Sequence, residues 1–124
     1  MTAIIIALLL TLNIYRMDVG LSPLAQSPVL TIVAQQRADA MVANDVFSHA
    51  DGAYIGLLAQ EGVRQGIVGE IIGRSTDPHV DILLAWQSSP SHNLHLLYPE
   101  YTEVGLGTAH SDTWHYFVIV FWGP

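Results

Sequence analysis

The chain has no cysteine and no lysine, and charged residues make up only 12% of its 124 residues. The absence of cysteine excludes disulfide bonds, thiolate metal ligands and a cysteine nucleophile. It leaves the redox compartment open, because a chain of this length can bury enough surface to fold without cross-links. The cations are four scattered arginines in a chain of net charge −7 with histidine neutral. Without a basic cluster that could neutralise phosphates, nucleic acid is not an expected partner.

The sequence also lacks an apolar run long enough to cross a membrane. The longest run, residues 3–10, continues with helical spacing to Ile14, whereas a membrane-spanning helix needs about 20 apolar residues. We predict a buried first helix that ends near Arg16 and Met17. The alternative is the apolar region of a signal peptide. That alternative is weakened because no Lys or Arg precedes the run and no small-residue cleavage site follows it cleanly.

Hydrophobic residues make up 51% of the chain, which is ample for one globular domain covering residues 1–124. Ser27-Pro28 has the sequence of a helix start, and helical spacing continues to Asn44. A short helix is expected at residues 54–60. A third long helix should open at Asp77-Pro78 with Val80, Leu83, Leu84 and Trp86 on its inner side, and a further short one should cover residues 91–97.

The second half of the chain adds β-structure. Residues 67–72 suit a short strand that carries Glu70, and residues 103–109 and 113–122 suit a hairpin that turns at residues 110–112. The last strand is apolar on both faces, which is typical of a strand between two helical layers. These elements predict an α+β fold in which helices surround a small, mainly antiparallel sheet.

Three residues capable of binding metal or transferring protons stand far apart, each in a distinctive phrase. They are His49 in Phe-Ser-His-Ala-Asp-Gly, Glu70 in Gly-Glu-Ile-Ile and His115 in Trp-His-Tyr-Phe. Imidazole and carboxylate groups can share a cation or relay a proton. If the fold brings these three side chains together, they form a site.

The phrases occur in a recognisable order along nearly the whole chain: residues 12–16 with 20–24, residues 34–41 with 47–49, residues 69–72, residues 86–93, residues 101–107 and residues 120–121. In this order they resemble the CAP superfamily (cysteine-rich secretory proteins, antigen 5 and pathogenesis-related 1 proteins), especially its short cysteine-free bacterial branch. The resemblance implies a three-layer α-β-α sandwich and a secreted protein. It also places residues 3–14 within the fold.

The resemblance further implies a cavity with two histidines and two acidic residues. Carried over to this chain, the histidines are His49 and His115 and the first acid is Glu70. The second acid is missing, because Ser89 stands at its place, and Ile71 replaces the asparagine of the usual Gly-Glu-Asn phrase. His92, in the Trp-x-x-Ser-x-x-His phrase, is a further candidate for the cavity.

Two uses of these residues are open. His49 and His115 could bind zinc or another divalent cation, with Glu70 as a third ligand or as a hydrogen-bond acceptor that orients an imidazole. Alternatively, the three side chains form a hydrogen-bonded polar cavity without metal. Our first functional hypothesis is a secreted, non-enzymatic module that binds a ligand or a protein partner through this cavity. The second is a metal-dependent hydrolase with Glu70 as general base, and a third is lipid or sterol carriage.

Overall fold

A computed structural model describes residues 3–124, so the first two residues of the predicted domain lie outside it. The helices are α1 (Ala3–Asp18), α2 (Pro28–Asn44), α3 (Ala53–Gln60), α4 (Ile82–Gln87) and α5 (Pro90–Leu96), with a single 3-10 turn at Ala50–Gly52 before α3. The strands are β1 (Ala25–Gln26), β2 (Ile67–Ser75), β3 (Glu103–His110) and β4 (His115–Gly123).

The strands form one sheet in the order β1-β3-β4-β2. Strands β2 and β3 both pair antiparallel with β4, and only the two-residue β1 runs parallel to its neighbour. Strand β4 is therefore central and β2 is an edge strand. Tyr116, Val118 and Val120 pack against α2 and α3, whereas Phe117 and Ile119 pack against residues of α1, α4 and α5. The predicted α+β fold, with helices on both faces of a small, mainly antiparallel sheet, is confirmed.

Helix α2 lies unusually close to the sheet because β3 carries glycine at two positions that face it. A Cβ atom at Gly107 would lie 2.5 Å from the Ala34 carbonyl carbon, and one at Gly105 would collide with the backbone at Leu30. Ser27 starts α2, because its side chain accepts a hydrogen bond from the Leu30 amide. The helix ends at Asn44, as predicted, and so places the following loop at the end of the sheet.

Helix α4 differs from the prediction. We expected a long helix from Asp77, but the Asp77 side chain accepts a hydrogen bond from the His79 amide and forms a local turn. The helix starts later because Asp81 caps it, accepting from the Leu84 amide at 3.0 Å. Leu84, expected on the inner side, is exposed, whereas Leu83 and Trp86 are buried.

Helix α1 is buried along one face only. Ile5, Leu12 and Arg16 are buried, but Leu10 and Ile14 are exposed. The Arg16 guanidinium donates hydrogen bonds to the backbone carbonyls of Ser22, Leu96 and Tyr98 at 2.9–3.1 Å. Burial lowers the pKa of Arg16. Through these bonds one side chain joins α1 to the segment between α5 and β3.

Candidate functional site

Glu70 is a buried carboxylate held by two partners. It lies on β2 opposite Val120, and its side chain is completely buried. Its Oε2 accepts a hydrogen bond from Arg37 Nε at 2.9 Å, and its Oε1 lies 2.7 Å from His49 Nδ1. Arg37 supplies the positive charge that a buried carboxylate requires. Both carboxylate oxygens are therefore engaged, and the His49 ring is fixed through Nδ1.

Arg37 also holds the loop that carries His49. Its Nη2 donates to the Ser48 carbonyl at 2.6 Å, so one guanidinium fixes both the carboxylate and the backbone next to the histidine. Within residues 3–124, the non-glycine residues with left-handed φ are Asp45, Ala50 and Asp51, all in this loop. Such conformations cost about 1–3 kcal/mol each and persist where the surroundings enforce them. The loop is thus held in one shape at an energetic cost.

A cavity of about 540 Å³ opens beside this loop, and we call it the His49 cavity. It lies over the edge strand β2, between the loop and the α4–α5 pair. Its lining residues come from these three places: Phe47, Ser48 and His49 from the loop, Ile72, Gly73 and Arg74 from β2, and Ile82, Ala85, Trp86, Ser89 and His92 from α4 and α5. The walls are mainly apolar with a few polar groups, as in small-molecule sites.

The polar groups of the far wall are Ser89 and His92. Ser89 Oγ lies 2.8 Å from His92 Nδ1, and Trp86 Nε1 donates to the Ile72 carbonyl at 3.1 Å. Burial lowers the pKa of His92, the charge of His49 lowers it further, and a hydrogen bond to the Ile72 backbone acts in the opposite direction. The net effect lowers the pKa of His92 below the ordinary histidine value, which favours the neutral imidazole.

His115 does not reach this cavity. It begins β4, pairs with Ser75 and His110, and its ring centroid lies 5.6 Å from that of His110. Glu70 pairs five positions further along β4, roughly 17 Å away at 3.4 Å per residue. His115 lines a different cavity, of about 310 Å³, at the hairpin end of the sheet. The structure brings His49 and Glu70 together, as predicted, but not His115. The odd number of positions between His115 and Val120 also puts the His115 side chain on the other face of the sheet from Glu70.

Ser89, at the predicted place of the second acid, and His92, predicted as a further candidate, both line the His49 cavity. The relevant sequence signal was the Ser-x-x-His spacing at the start of α5, which turns residues 89 and 92 toward the same side. A second large cavity, of about 500 Å³, is lined by Arg64, Glu103, Trp122 and neighbouring residues, but its described lining contains no histidine.

The family model for CAP, the cysteine-rich secretory protein family, matches residues 9–122. The chain belongs to this family. It is 26% identical over 104 residues to the uncharacterized protein YkwD of Bacillus subtilis, a match that covers 82% of this chain and 40% of that protein. The CAP chain thus spans less than half the length of this relative.

Solved structures with the same fold include two bacterial proteins. An outer surface protein from Borrelia burgdorferi has a TM-score of 0.86 and 21% identity, over 94% of this chain and 90% of that one. An extracellular protein containing an SCP domain from Bacillus anthracis has a TM-score of 0.72 and 28% identity, over 91% of this chain and 38% of that one. Within residues 3–124, no helix has the length and apolar character needed to span a bilayer.

Proposed function

We propose that this CAP domain is an extracellular ligand-binding module and that the His49 cavity is its binding site. The observation that carries the proposal is the Arg37–Glu70–His49 chain of contacts, at 2.9 and 2.7 Å. The buried ion pair and the strained loop together fix the orientation of one half-exposed imidazole at the edge of the cavity. A site held in advance loses less entropy when a ligand binds. The extracellular placement rests on the description of the Bacillus anthracis relative.

The same contacts favour binding over catalysis by Glu70. A general base must have a free lone pair within reach of the substrate proton. Both oxygens of Glu70 are already engaged, one by Arg37 and one by His49, and the side chain is completely buried. Glu70 therefore supports a role in positioning the site. His49 and His92 are the groups that meet the ligand.

A weakly held divalent cation is a secondary part of the proposal. A carboxylate bonded to Nδ1, as at His49, is the arrangement that orients metal-binding histidines, and it leaves Nε2 as the ring's ligand atom. His92 has fewer ring nitrogens free to bind a metal, because Ser89 is hydrogen-bonded to its Nδ1. Within the described residues, no group of three or more His, Asp or Glu side chains is arranged to hold a metal ion. We therefore expect zinc to bind with modest affinity and to be lost as pH falls, because protonated imidazole cannot coordinate.

Hydrolysis is the second candidate function, favoured by the 2.8 Å contact between Ser89 Oγ and His92 Nδ1. A neutral histidine bonded to a serine hydroxyl can accept its proton during attack on a carbonyl carbon. In this reading Ser89 is the nucleophile and His92 the base. Turnover of an ester or peptide panel by the parent protein, abolished in Ser89→Ala, is the result that favours this candidate.

Binding is tested by screening a mixed library of neutral, anionic and cationic fragments while recording amide resonances by NMR. We expect some fragments to shift the amides of Gly73, Ser89 and His92. The His49→Ala, His92→Ala double variant should lose these shifts, and the matched His110→Ala, His115→Ala variant should keep them. Zinc titration of the same proteins tests the cation. The proposal is wrong if no fragment shifts the cavity amides, or if both double variants bind alike.

A further inference from the structure

Arg74 is held in an unusual way at the edge of the His49 cavity. Its Cζ lies 4.0 Å from the ring centroid of Trp114 and 4.8 Å from that of Phe47. Guanidinium groups are attracted to aromatic faces, and two such contacts restrict the plane of the group. Arg74 is nevertheless exposed to solvent and lines the cavity. The aromatic rings therefore orient a guanidinium whose hydrogen-bonding edge is still open.

That edge has no partner within the described chain. Among residues 3–124 the ion pairs are Arg37–Glu70 and His49–Glu70, and Arg74 makes neither an ion pair nor a side-chain hydrogen bond. A guanidinium carries five N–H donors in a planar fork that matches a carboxylate. Arg74 thus differs from Arg16 and Arg37, whose donors are used in holding the fold together.

The charge of the cavity also points to an anion. Of the described residues that line it, Arg74 is the only one of Asp, Glu, Lys or Arg type. The chain has a net charge of −7, so this cavity is a positively charged region on an acidic protein. A concave surface with one sign of charge concentrates ligands of the opposite sign. Below the guanidinium, the walls at Ile72, Ile82 and Trp86 are apolar.

We propose that the ligand of this cavity carries a carboxylate, bound by Arg74, next to an apolar group that lies against Ile72, Ile82 and Trp86. The inference rests on the binding function proposed above and adds the chemical class of the ligand. Both a free organic acid and the C-terminal carboxylate of a peptide have this chemistry. His92 lies on the wall formed by α5, where its ring borders the same ligand.

The probes are 4-phenylbutyrate with its amide, and N-acetyl-Ala-Phe with its C-terminal amide, titrated into the parent protein and followed through cavity amide shifts. Each acid should bind about tenfold to a hundredfold more tightly than its amide, the range expected for charge-assisted hydrogen bonds. The first pair represents free acids and the second represents peptide ends. Tighter binding of one acid than the other identifies the source.

Arg74→Gln should remove the preference for acid over amide. Arg64→Gln is the matched control, because Arg64 is also exposed and lies outside this cavity, so the variant has the same change in net charge. Arg74→Lys keeps the positive charge but not the planar set of N–H donors, so it should retain only part of the preference for acid over amide. Thermal melting verifies that each variant is folded, and the lysine variant provides the test if the glutamine variant is not.

Equal binding of acid and amide by the parent, or an unchanged preference in Arg74→Gln, overturns the carboxylate inference. Binding of neutral or cationic library fragments at the cavity amides, with no shift from either acid, also overturns it but leaves the binding function standing. If no fragment of any charge shifts these amides, the binding function itself fails. The two failures are therefore distinguishable in one set of titrations.

Discussion

Replacing Glu70 with glutamine keeps the shape of the side chain but removes the charge that compensates Arg37. The Arg37 side chain is only 4% exposed, so its charge stays buried without a counter-ion. Removing one partner of a buried ion pair costs about 3–5 kcal/mol. An amide also has a single acceptor oxygen, while Arg37 Nε and His49 Nδ1 both direct a donor at the carboxylate. One donor must then face the amide nitrogen, so we expect Glu70→Gln to fall within that range.

Urea unfolding at pH 7 measures this effect, because the slope and midpoint give the free energy of unfolding. Glu61→Gln is the control, since Glu61 is exposed and such changes stay within about 0.5 kcal/mol. Arg37→Met and the Arg37→Met, Glu70→Gln double variant complete a cycle. The double variant should lose less than the sum of the single losses by about 2 kcal/mol or more. A loss below about 1 kcal/mol in Glu70→Gln, or additive losses, would refute the reasoning.

Three further predictions concern the scaffold. Arg16→Met leaves several buried carbonyls without a donor and should lower the free energy of unfolding by about 3 kcal/mol, with Arg16→Lys less harmful in urea; equal losses would contradict this. Burial lowers the pKa of both His92 and His95 below the ordinary histidine value of 6.5, so the unfolded chain binds protons more readily. The free energy of unfolding should be highest above about pH 6.5 and should decrease as the pH is lowered from there. The decrease should be smaller in His95→Gln, as urea titrations at about pH 7.5 and 5 would show. Gly107→Ala should cost about 1–3 kcal/mol because α2 must move, whereas Gly56→Ala, where the added Cβ meets nothing within 4 Å, should be neutral or stabilising in thermal melts.

Much of the fold could be predicted because the local signals agree with one another. The apolar residues on both faces of β4 predicted a strand between two helical layers, and Ser27-Pro28 predicted the start of α2. The predicted helix start at Asp77 was wrong because aspartate both caps helices and closes short turns, and the sequence does not show which amide its side chain will reach. Asp81 has the same side chain and is the actual cap.

The site was harder to predict because alternation gives the face of a strand but not which of its ends lies near a given partner. His115 lies on β4, but the register of the hairpin separates it from Glu70. Arg37 was overlooked as a site residue, although it occupies a core-facing position in α2 between Ala34 and Met41. A charged residue in such an apolar row indicates a buried partner, and this pattern could have revealed the ion pair.

The glycines of β3 have a consequence for how this family member can change. Because α2 lies with its backbone against that of β3 at Gly105 and Gly107, the distance between the helix and the sheet is set by main-chain atoms. Side-chain substitutions on α2 cannot widen or narrow it. The His49 cavity is lined instead by residues of α4 and α5, which meet the sheet through side chains such as Trp86, so substitutions there can change its size.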